Sequence, residues 1–411
     1  MKTDRCKGMR DLLPEDMAKF RRVEEVFRRC SSRWGYEEVR TPTLEYLHLF
    51  TAVGTLTPGM LGRVYSFLDW DGWSGERVVL RPEGTIPVAR LYSENLSGLK
   101  TCRLSYVSNI FAFEETGKER RERWQCGVEL IGPSQPSADA ELITLAIEVL
   151  NELGLGQPEI RLSHAGLIKA LIAELGVDAA EQTHIFDQVL EGNIKSLGEV
   201  DTGNAELKKA ISFLMDVKGN SPGFIQNIKA LLGDNLTPLE HALNDMTQIA
   251  ECLDAAQCPY HIDVASGMGF EYYTGAMFQF HIAGKRIGGG GRYDDLISLV
   301  GGPHIPASGF ALLAGQITDL LKAVESTTPR ILVQADDSSA EYLKACSAIA
   351  RSLRKAGYAV SLDHGGTEPG DYQRVVTILG DGRFRLADHP TGRACELKSA
   401  DDLLKALEAA G

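Results

Sequence analysis

The sequence predicts an α+β fold in which an antiparallel sheet is flanked by helices. Several β-like runs precede the central helices, an order typical of α+β proteins rather than of alternating βαβ units. These runs are Val78–Arg81, Arg103–Glu114 and Trp124–Gly132. Ahead of them, apolar residues recur every three or four positions from Met17 to Phe27, the period of one helix face. We therefore expect a long amphipathic helix followed by a sheet.

The two long helices have recognisable ends. The first begins at Pro14, and Glu15 adds a negative charge to its first turn, where the helix dipole favours it. The second opens at Ser137 and closes at Gly154, with apolar residues in helical register between them. Both helices are expected to pack one apolar face against the sheet.

Changes of pattern along the chain predict the domain organisation. We expect a core domain over residues 1–324, interrupted by a helical and loop-rich insertion at about 177–258. The run ESTTP at 325–329 is predicted to be a linker. Residues 330–411 alternate strand-like and helix-like segments, which indicates a small C-terminal α/β domain.

Composition indicates a globular protein without a membrane span. Apolar residues make up 44% of the chain and charged residues 24%, and there is no run of eighteen apolar residues that could cross a bilayer. The N-terminal segment mixes charges throughout and lacks an apolar signal core. We therefore expect a cytoplasmic protein.

Cysteine spacing and charge argue against a metal site and against nucleic acid as a partner. The eight cysteines are scattered with no CxxC pair, so buried reduced thiols are expected and no metal or cofactor is predicted. The net charge is −13, which disfavours binding to a polyanion. Residues 331–411 contain ten basic and twelve acidic side chains, whereas an RNA-binding surface is basic. A tRNA partner is therefore unlikely on sequence grounds.

Six segments stand out along the chain: GMRDLLP (Gly8–Pro14), RTPTLEYLHLF (Arg40–Phe50), LRPEGT (Leu80–Thr85), WQCGVELIG (Trp124–Gly132), GFEYYTGAMF (Gly269–Phe278) and GGRYD (Gly290–Asp294). In this order, they together resemble the histidyl-tRNA synthetase family. That family includes catalytic synthetases and a non-catalytic relative, the regulatory subunit of ATP phosphoribosyltransferase. The resemblance implies a class II synthetase-like antiparallel sheet, with flanking helices and a C-terminal domain like the one that binds the anticodon.

Three arginines that the resemblance assigns to ATP and the activated carboxylate are replaced. Their positions hold Ala112, Met268 and Gln316, none of which carries a charge. An arginine fork stabilises phosphoryl or carboxylate oxygens through paired, charge-assisted hydrogen bonds that a neutral side chain cannot reproduce. By analogy with other electrostatic donors, each loss costs roughly 3–4 kcal/mol of transition-state stabilisation. No catalytic residue is therefore predicted.

The resemblance also implies a histidine pocket whose acidic and polar side chains are kept. Glu83 and Thr85 match the residues that hold the α-amino group of histidine. Gln125 and Glu129 are separated by an even number of residues on one predicted strand and so face the same side of it. Carboxylates accept hydrogen bonds from ammonium and imidazole groups. The structural alternative for Glu83 is that it caps a turn.

The remaining pocket residues leave the histidine carboxylate without its usual partner. Tyr272 and Tyr273 match the wall beside the imidazole, although two tyrosines in a strand are also compatible with one core and one surface position. Met268 replaces the expected arginine, and Arg121 is our substitute candidate. The glycines at 288–291 are compatible with a backbone phosphate cradle or with a tight turn beside the pocket.

These residues favour a regulatory protein over an enzyme. We expect a homodimer formed through Arg40–Phe50, a short catalytic ATP phosphoribosyltransferase subunit as partner, and histidine as feedback effector in the first step of histidine biosynthesis. The segments Val128–Glu141 and Ser163–Leu167 look more like the regulatory branch, whereas LRPEGT is synthetase-like. The alternative is a divergent histidyl-tRNA synthetase in which other residues replace the lost arginines.

Overall fold

The chain forms two compact units, Met1–Ala323 and Val324–Gly411. The computed structural model describes residues 4–54, 64–69, 75–112, 120–173, 175–190, 218–232, 237–263, 272–323, 329–336, 340–364, 372–389 and 391–409. Four of the five residues predicted as a linker, 325–328, lie outside the described residues.

Two sheets form the strand framework of the first unit. Its strands are β1 (Glu37–Glu38), β2 (Leu44–Tyr46), β3 (Ser66–Leu68), β4 (Arg77–Leu80), β5 (Cys102–Phe111), β6 (Glu122–Ile131), β7 (Glu159–His164), β8 (His261–Ile262), β9 (Ala276–Ile282), β10 (Lys285–Arg292) and β11 (Ala307–Leu313). The main sheet has the order β1-β5-β6-β11-β10-β9-β7-β8, and β2-β4-β3 form a small second sheet. The main sheet is antiparallel except at its two edges, where β1 pairs with β5 and β7 with β8 in parallel.

Helices complete the first unit. They are α1 (Pro14–Arg33), α2 (Leu47–Ala52), α3 (Thr85–Asn95), α4 (Pro136–Glu152), α5 (Ala165–Ala173), α6 (Ala179–Leu190), α7 (Pro222–Leu232), α8 (Thr237–Ala255), α9 (Leu296–Leu299) and α10 (Ala314–Leu320). The predicted first helix is α1, and its apolar face is buried at Phe20, Val23 and Phe27. α3, which was not predicted, begins at Thr85, the last residue of the LRPEGT segment.

Helix α1 covers one face of the main sheet and leaves the other face for a pocket. Phe20 of α1 packs edge-on against Trp124 of β6, with ring centroids 5.4 Å apart. Alternate residues of a strand point to opposite faces, so Gln125, Gly127 and Glu129 point away from α1. The polar pair predicted on this strand therefore shares the face opposite the helix.

Helices also occupy the region predicted as an insertion. α6, α7 and α8 fall between residues 177 and 258, and residues 191–217 lie outside the described part of the chain. α8 packs against α4 and α5 through buried apolar residues that include Leu243, Met246 and Ile249. The insertion is thereby joined to the core of the first unit.

The second unit is a small α/β domain. Its elements are β12 (Arg330–Ala335), α11 (Ala340–Lys355), β13 (Ala359–Leu362), β14 (Arg374–Ile378), β15 (Phe384–Asp388), β16 (Ala394–Leu397) and α12 (Ala400–Ala409). Strand order is β13-β12-β14-β15-β16, with parallel pairing among the first three strands and antiparallel pairing in the last three. We did not predict β15 and β16. β16 is largely exposed, so its sequence lacks the apolar alternation that marks a half-buried strand.

The predicted fold class is confirmed. A large, mostly antiparallel sheet with flanking helices is joined to a small C-terminal α/β domain. Gly288–Gly291 are neither a turn nor a phosphate cradle, because they lie within β10 and pair with β9 and β11 on both sides. In the described part of the chain, no helix combines the length and apolar character needed to cross a membrane.

Candidate binding site

Glu83 is a buried carboxylate at the start of helix α3. It is 3% exposed, and its two oxygens accept hydrogen bonds from the backbone N–H groups of Thr85 (2.8 Å) and Ile86 (2.6 Å). These bonds satisfy two donors that a helix N-terminus otherwise leaves unpaired. The capping role that we considered for Glu83 is therefore present, and each oxygen keeps a lone pair for another donor. Burial raises the pKa of Glu83 to about 7, against the lowering effect of these bonds.

Glu129 is a second buried carboxylate on the face opposite α1. It is 1% exposed, and Tyr293 donates its hydroxyl to the Glu129 Oε2 atom. The Oε1 atom has no hydrogen-bond partner of good geometry among the described residues, although Thr85 and Tyr106 lie close enough to lower the pKa. Burial dominates and, with the nearby charge of Glu83, raises the pKa of Glu129 to about 8. At neutral pH burial therefore favours the protonated form of Glu129, which can donate a hydrogen bond as well as accept one.

Glycines open the space around these carboxylates. A Cβ atom on Gly84 or Gly127 would overlap the ring of Tyr106, and one on Gly309 would overlap the Glu129 carboxylate. A Cβ atom on Gly291 would lie 3.0 Å from the Tyr273 ring. The small residues of β6, β10 and β11 are therefore required for bulky polar side chains to lie flat on this face.

Tyrosines form the wall of the site. Tyr272 lies edge-on to Tyr273 and to Tyr293, with ring centroids 5.1 Å and 5.7 Å apart. All three are buried, and burial together with the nearby carboxylates raises the pKa of each phenol well above its usual value. Both tyrosines of the predicted pair are therefore interior, which rules out the alternative that one of them lies at the surface.

Gln125 and Arg121 occupy different environments. Gln125 is 6% exposed, and its Oε1 atom has no hydrogen-bond partner in the described structure. The methylenes of Arg121 lie over Gly8, where an added Cβ would come within 2.5 Å of Arg121 Cγ. The Arg121 backbone is also fixed, since its N–H bonds to Gly8 and its carbonyl accepts from Ala112. Gln125 thus belongs to the buried site, whereas Arg121 lies against the N-terminal segment.

Two side chains of the site were missed by the sequence reasoning. Tyr293 belongs to the GGRYD segment that carried the family resemblance, so its motif was found but its role was not assigned. Tyr106 gives no local signal, because its place beside Gly127 follows from pairing between β5 and β6. Its hydroxyl is buried without a hydrogen-bond partner of good geometry in the described residues.

A buried ion pair holds the GGRYD segment in place. Arg292 donates to Asp139 Oδ2 through Nε (3.0 Å) and Nη2 (2.9 Å), and Ser308 donates to the other Asp139 oxygen at 2.6 Å. Asp139 lies in the first turn of α4, so this pair ties the helix to β10 and β11. Arg292 is therefore a structural residue, and it orients the neighbouring Tyr293.

Two of the three replaced arginine positions are described, and neither restores a charge. Ala112 follows β5 and contributes only its backbone, while the loop after it, 113–119, lies outside the described residues. Gln316, at the start of α10, lines a cavity of about 540 Å³ at one end of β6 and β10. None of the predicted pocket residues lines this cavity. Met268 lies outside the described residues.

Among the described residues, one cluster has the spacing of metal ligands. It contains Cys30, Glu148 and Glu152. Arg33 forms ion pairs with both carboxylates, and Arg29 contacts Glu152 at 2.6 Å. Since the arginines already neutralise the carboxylates, we assign this cluster to structure.

Comparisons with known proteins identify the family of this chain. The family model described as histidyl-tRNA synthetase matches residues 8–317. A protein of Dehalococcoides mccartyi named ATP phosphoribosyltransferase regulatory subunit is 48% identical over 98% of each chain. The chain belongs to the histidyl-tRNA synthetase family, in its branch of regulatory subunits. A histidine–tRNA ligase of Methanocaldococcus jannaschii is more distant, with 35% identity over 94% of this chain and 95% of the ligase.

A solved structure has a similar fold. A Bacillus halodurans protein titled ATP phosphoribosyltransferase regulatory subunit/histidyl-tRNA synthetase has a TM-score of 0.78 and 26% identity. The match covers 92% of this chain and 99% of the other. Family membership and fold predicted from the six segments are thereby confirmed.

Proposed function

We propose that this chain is the non-catalytic regulatory subunit of an ATP phosphoribosyltransferase. The observation that carries the proposal is the full-length 48% identity to proteins with that name. Two uncharged residues, Ala112 and Gln316, support it, because they stand where the family's synthetases use arginines on ATP. In this proposal a short catalytic subunit joins ATP to phosphoribosyl pyrophosphate, and this chain supports and regulates it. The cytoplasmic location stays a prediction.

Histidine is the proposed effector, and the buried acidic site is its proposed pocket. We assign Glu83 and Thr85 to the ammonium group and Glu129 to the imidazole. The other residues in the proposed set are Arg121, Gln125, Tyr272 and Tyr273. Feedback requires that histidine bind two states of the complex with different affinity, because equal affinity shifts no population.

A homodimer through the small sheet β2-β4-β3 is part of the proposal. Leu44, Tyr46 and Phe67 are 46%, 46% and 45% exposed. Tyr46 and Phe67 both pair with Val78 of the central strand, so they lie on one face of this sheet. A contiguous exposed apolar face favours contact with a like surface, and a two-fold axis uses the same patch twice.

Reconstitution with a short catalytic subunit tests the regulatory function. Phosphoribosyl transfer from phosphoribosyl pyrophosphate to ATP is measured with the catalytic subunit alone, with this chain added, and with added histidine. We expect the chain to raise the rate and histidine to lower it only when the chain is present. A rate that is independent of the chain would contradict the proposal.

The second candidate function is a divergent histidine–tRNA ligase. It is favoured by 31–35% identity over most of the chain to proteins with that name. Histidine-dependent exchange between ATP and pyrophosphate separates the two functions, because only the ligase forms an adenylate. Exchange near the rate of an ordinary synthetase would establish the ligase.

A further inference from the structure

Arg286 is a half-buried cation near the start of β10. Its Nε atom is inaccessible and has no hydrogen-bond partner, and the described residues offer its guanidinium no ion pair. Burial lowers its pKa, and the like charge of Arg123 lowers it further. A guanidinium whose Nε is shielded from water is stabilised by a nearby anion, so this position is suited to an anionic group of a ligand.

The guanidinium of Arg286 lies on the pocket face of the sheet. An added Cβ on Gly289 would lie 3.2 Å from Arg286 Nη2, while the Tyr273 ring lies over Gly291 on the same strand. Residues two apart in a strand share a face, so Arg286 and Tyr273 lie side by side above β10. The nearby Arg286 charge also acts to lower the pKa of Tyr273, against the larger effect of burial.

Glu129 lies across the sheet from this pair. Gly291, which lies under the Tyr273 ring, pairs with Gly309, and Gly309 pairs with Glu129, so Gly291 and Glu129 are two strand spacings apart. That separation is about 10 Å between backbones. The Tyr273 ring covers Gly291 and the Glu129 carboxylate covers Gly309, so these two side chains lie next to each other. Tyr273 is also close enough to Arg286 and to Glu129 for both charges to act on its pKa, so the guanidinium and the carboxylate surround the same ring.

We propose that Arg286 binds the carboxylate of the amino acid whose cationic groups meet Glu83 and Glu129. This inference rests on the proposed histidine pocket and supplies the anion partner that Met268 cannot provide. Arg286 fits the role better than Arg121, whose methylenes lie over Gly8 against the N-terminal segment. The Arg123 guanidinium adds positive charge beside the same position.

Calorimetry with two ligands tests the assignment. L-Histidine and L-histidinamide share the ammonium and imidazole groups, but the amide lacks the negative charge. Arg286→Ala should weaken histidine binding about tenfold or more, since a charge-assisted bond is lost, and should change histidinamide binding much less. Lys285→Ala removes an exposed charge from the neighbouring position and should leave both affinities unchanged.

The outcomes separate this inference from the proposed function. If the wild type, with or without its catalytic partner, binds neither ligand, the histidine pocket itself is wrong and the inference falls with it. If the wild type binds histidine and Arg286→Ala weakens both ligands equally, Arg286 acts only through structure. A loss specific to histidine in Arg121→Ala, with none in Arg286→Ala, would transfer the role to Arg121.

Discussion

Replacing Glu129 with glutamine should make the first unit less sensitive to alkaline pH. Glu129 is almost wholly buried, and burial raises its pKa to about 8. Glutamine has nearly the same shape and keeps an oxygen that can accept the Tyr293 hydroxyl. The substitution therefore removes the ionisation while preserving most of the packing.

The sign and size of the effect follow from linkage. The folded-state pKa lies above the value of about 4.3 for an unfolded glutamate, so the folded chain holds the proton more tightly. This contribution to stability is complete below pH 4 and is lost as the pH rises to about 8. From pH 6 to pH 8.5 the wild type should lose roughly 2–3 kcal/mol through this group, at about 1.4 kcal/mol per unit. The Glu129→Gln variant should not lose this contribution of roughly 2–3 kcal/mol, because glutamine does not ionise.

Urea unfolding followed by tryptophan fluorescence measures this difference. All four tryptophans, Trp34, Trp70, Trp73 and Trp124, lie in the first unit, so the signal reports on that unit alone. Glu122→Gln removes a partly exposed carboxylate from the same strand and should keep the wild-type response to pH. If wild type and Glu129→Gln lose equal stability over this range, the carboxylate is not held protonated by burial and our account of the site is wrong.

Three further predictions concern function. The purified chain should catalyse histidine-dependent ATP–pyrophosphate exchange several orders of magnitude more slowly than an ordinary synthetase. The chain should be a dimer by light scattering at micromolar concentration, and a monomeric wild type would contradict the proposed interface. Tyr46→Glu should yield monomers. Leu299→Glu, which alters an exposed leucine of α9 outside the small sheet, should leave the dimer intact. Glu129→Ala should weaken histidine binding at least tenfold by calorimetry, because a ligand cation loses its buried partner. Glu83→Ala should also weaken histidine binding. Because this variant removes the cap of α3, its unfolding curve must be measured as a control. Unchanged binding in both the Glu129→Ala and Glu83→Ala variants would place the pocket elsewhere.

Local sequence patterns predicted much of the framework correctly. The period of apolar residues located α1, and apolar β-like runs located β5 and β6, because burial of one face imposes these repeats on the sequence itself. The short strands β3 and β16 were missed. β3 has only three residues, and both strands are largely exposed. Neither strand therefore shows the alternation of apolar and polar residues that a half-buried strand has.

Some residues of the proposed pocket were likewise predicted from the sequence, and others were found only in the structure. Gln125 and Glu129 were predicted to share a face from spacing alone, because the strand period is two. Tyr106 was not found, since its contacts depend on register with a neighbouring strand. The double role of Glu83 also depends on α3 beginning directly after it, a boundary that the sequence did not reveal.

The sequence by itself determined the fold class, the family and the loss of charge at the three arginine positions, because these depend on residue type and local spacing. Only the tertiary structure decided which charges are buried. It brought Glu83 and Glu129 together and raised the pKa of both, and it placed Arg286 beside Tyr273 with an Nε atom that no described residue contacts by a hydrogen bond. The physical reason is that burial and pairing depend on contacts between strands and helices far apart in the chain, and residue order does not specify these directly.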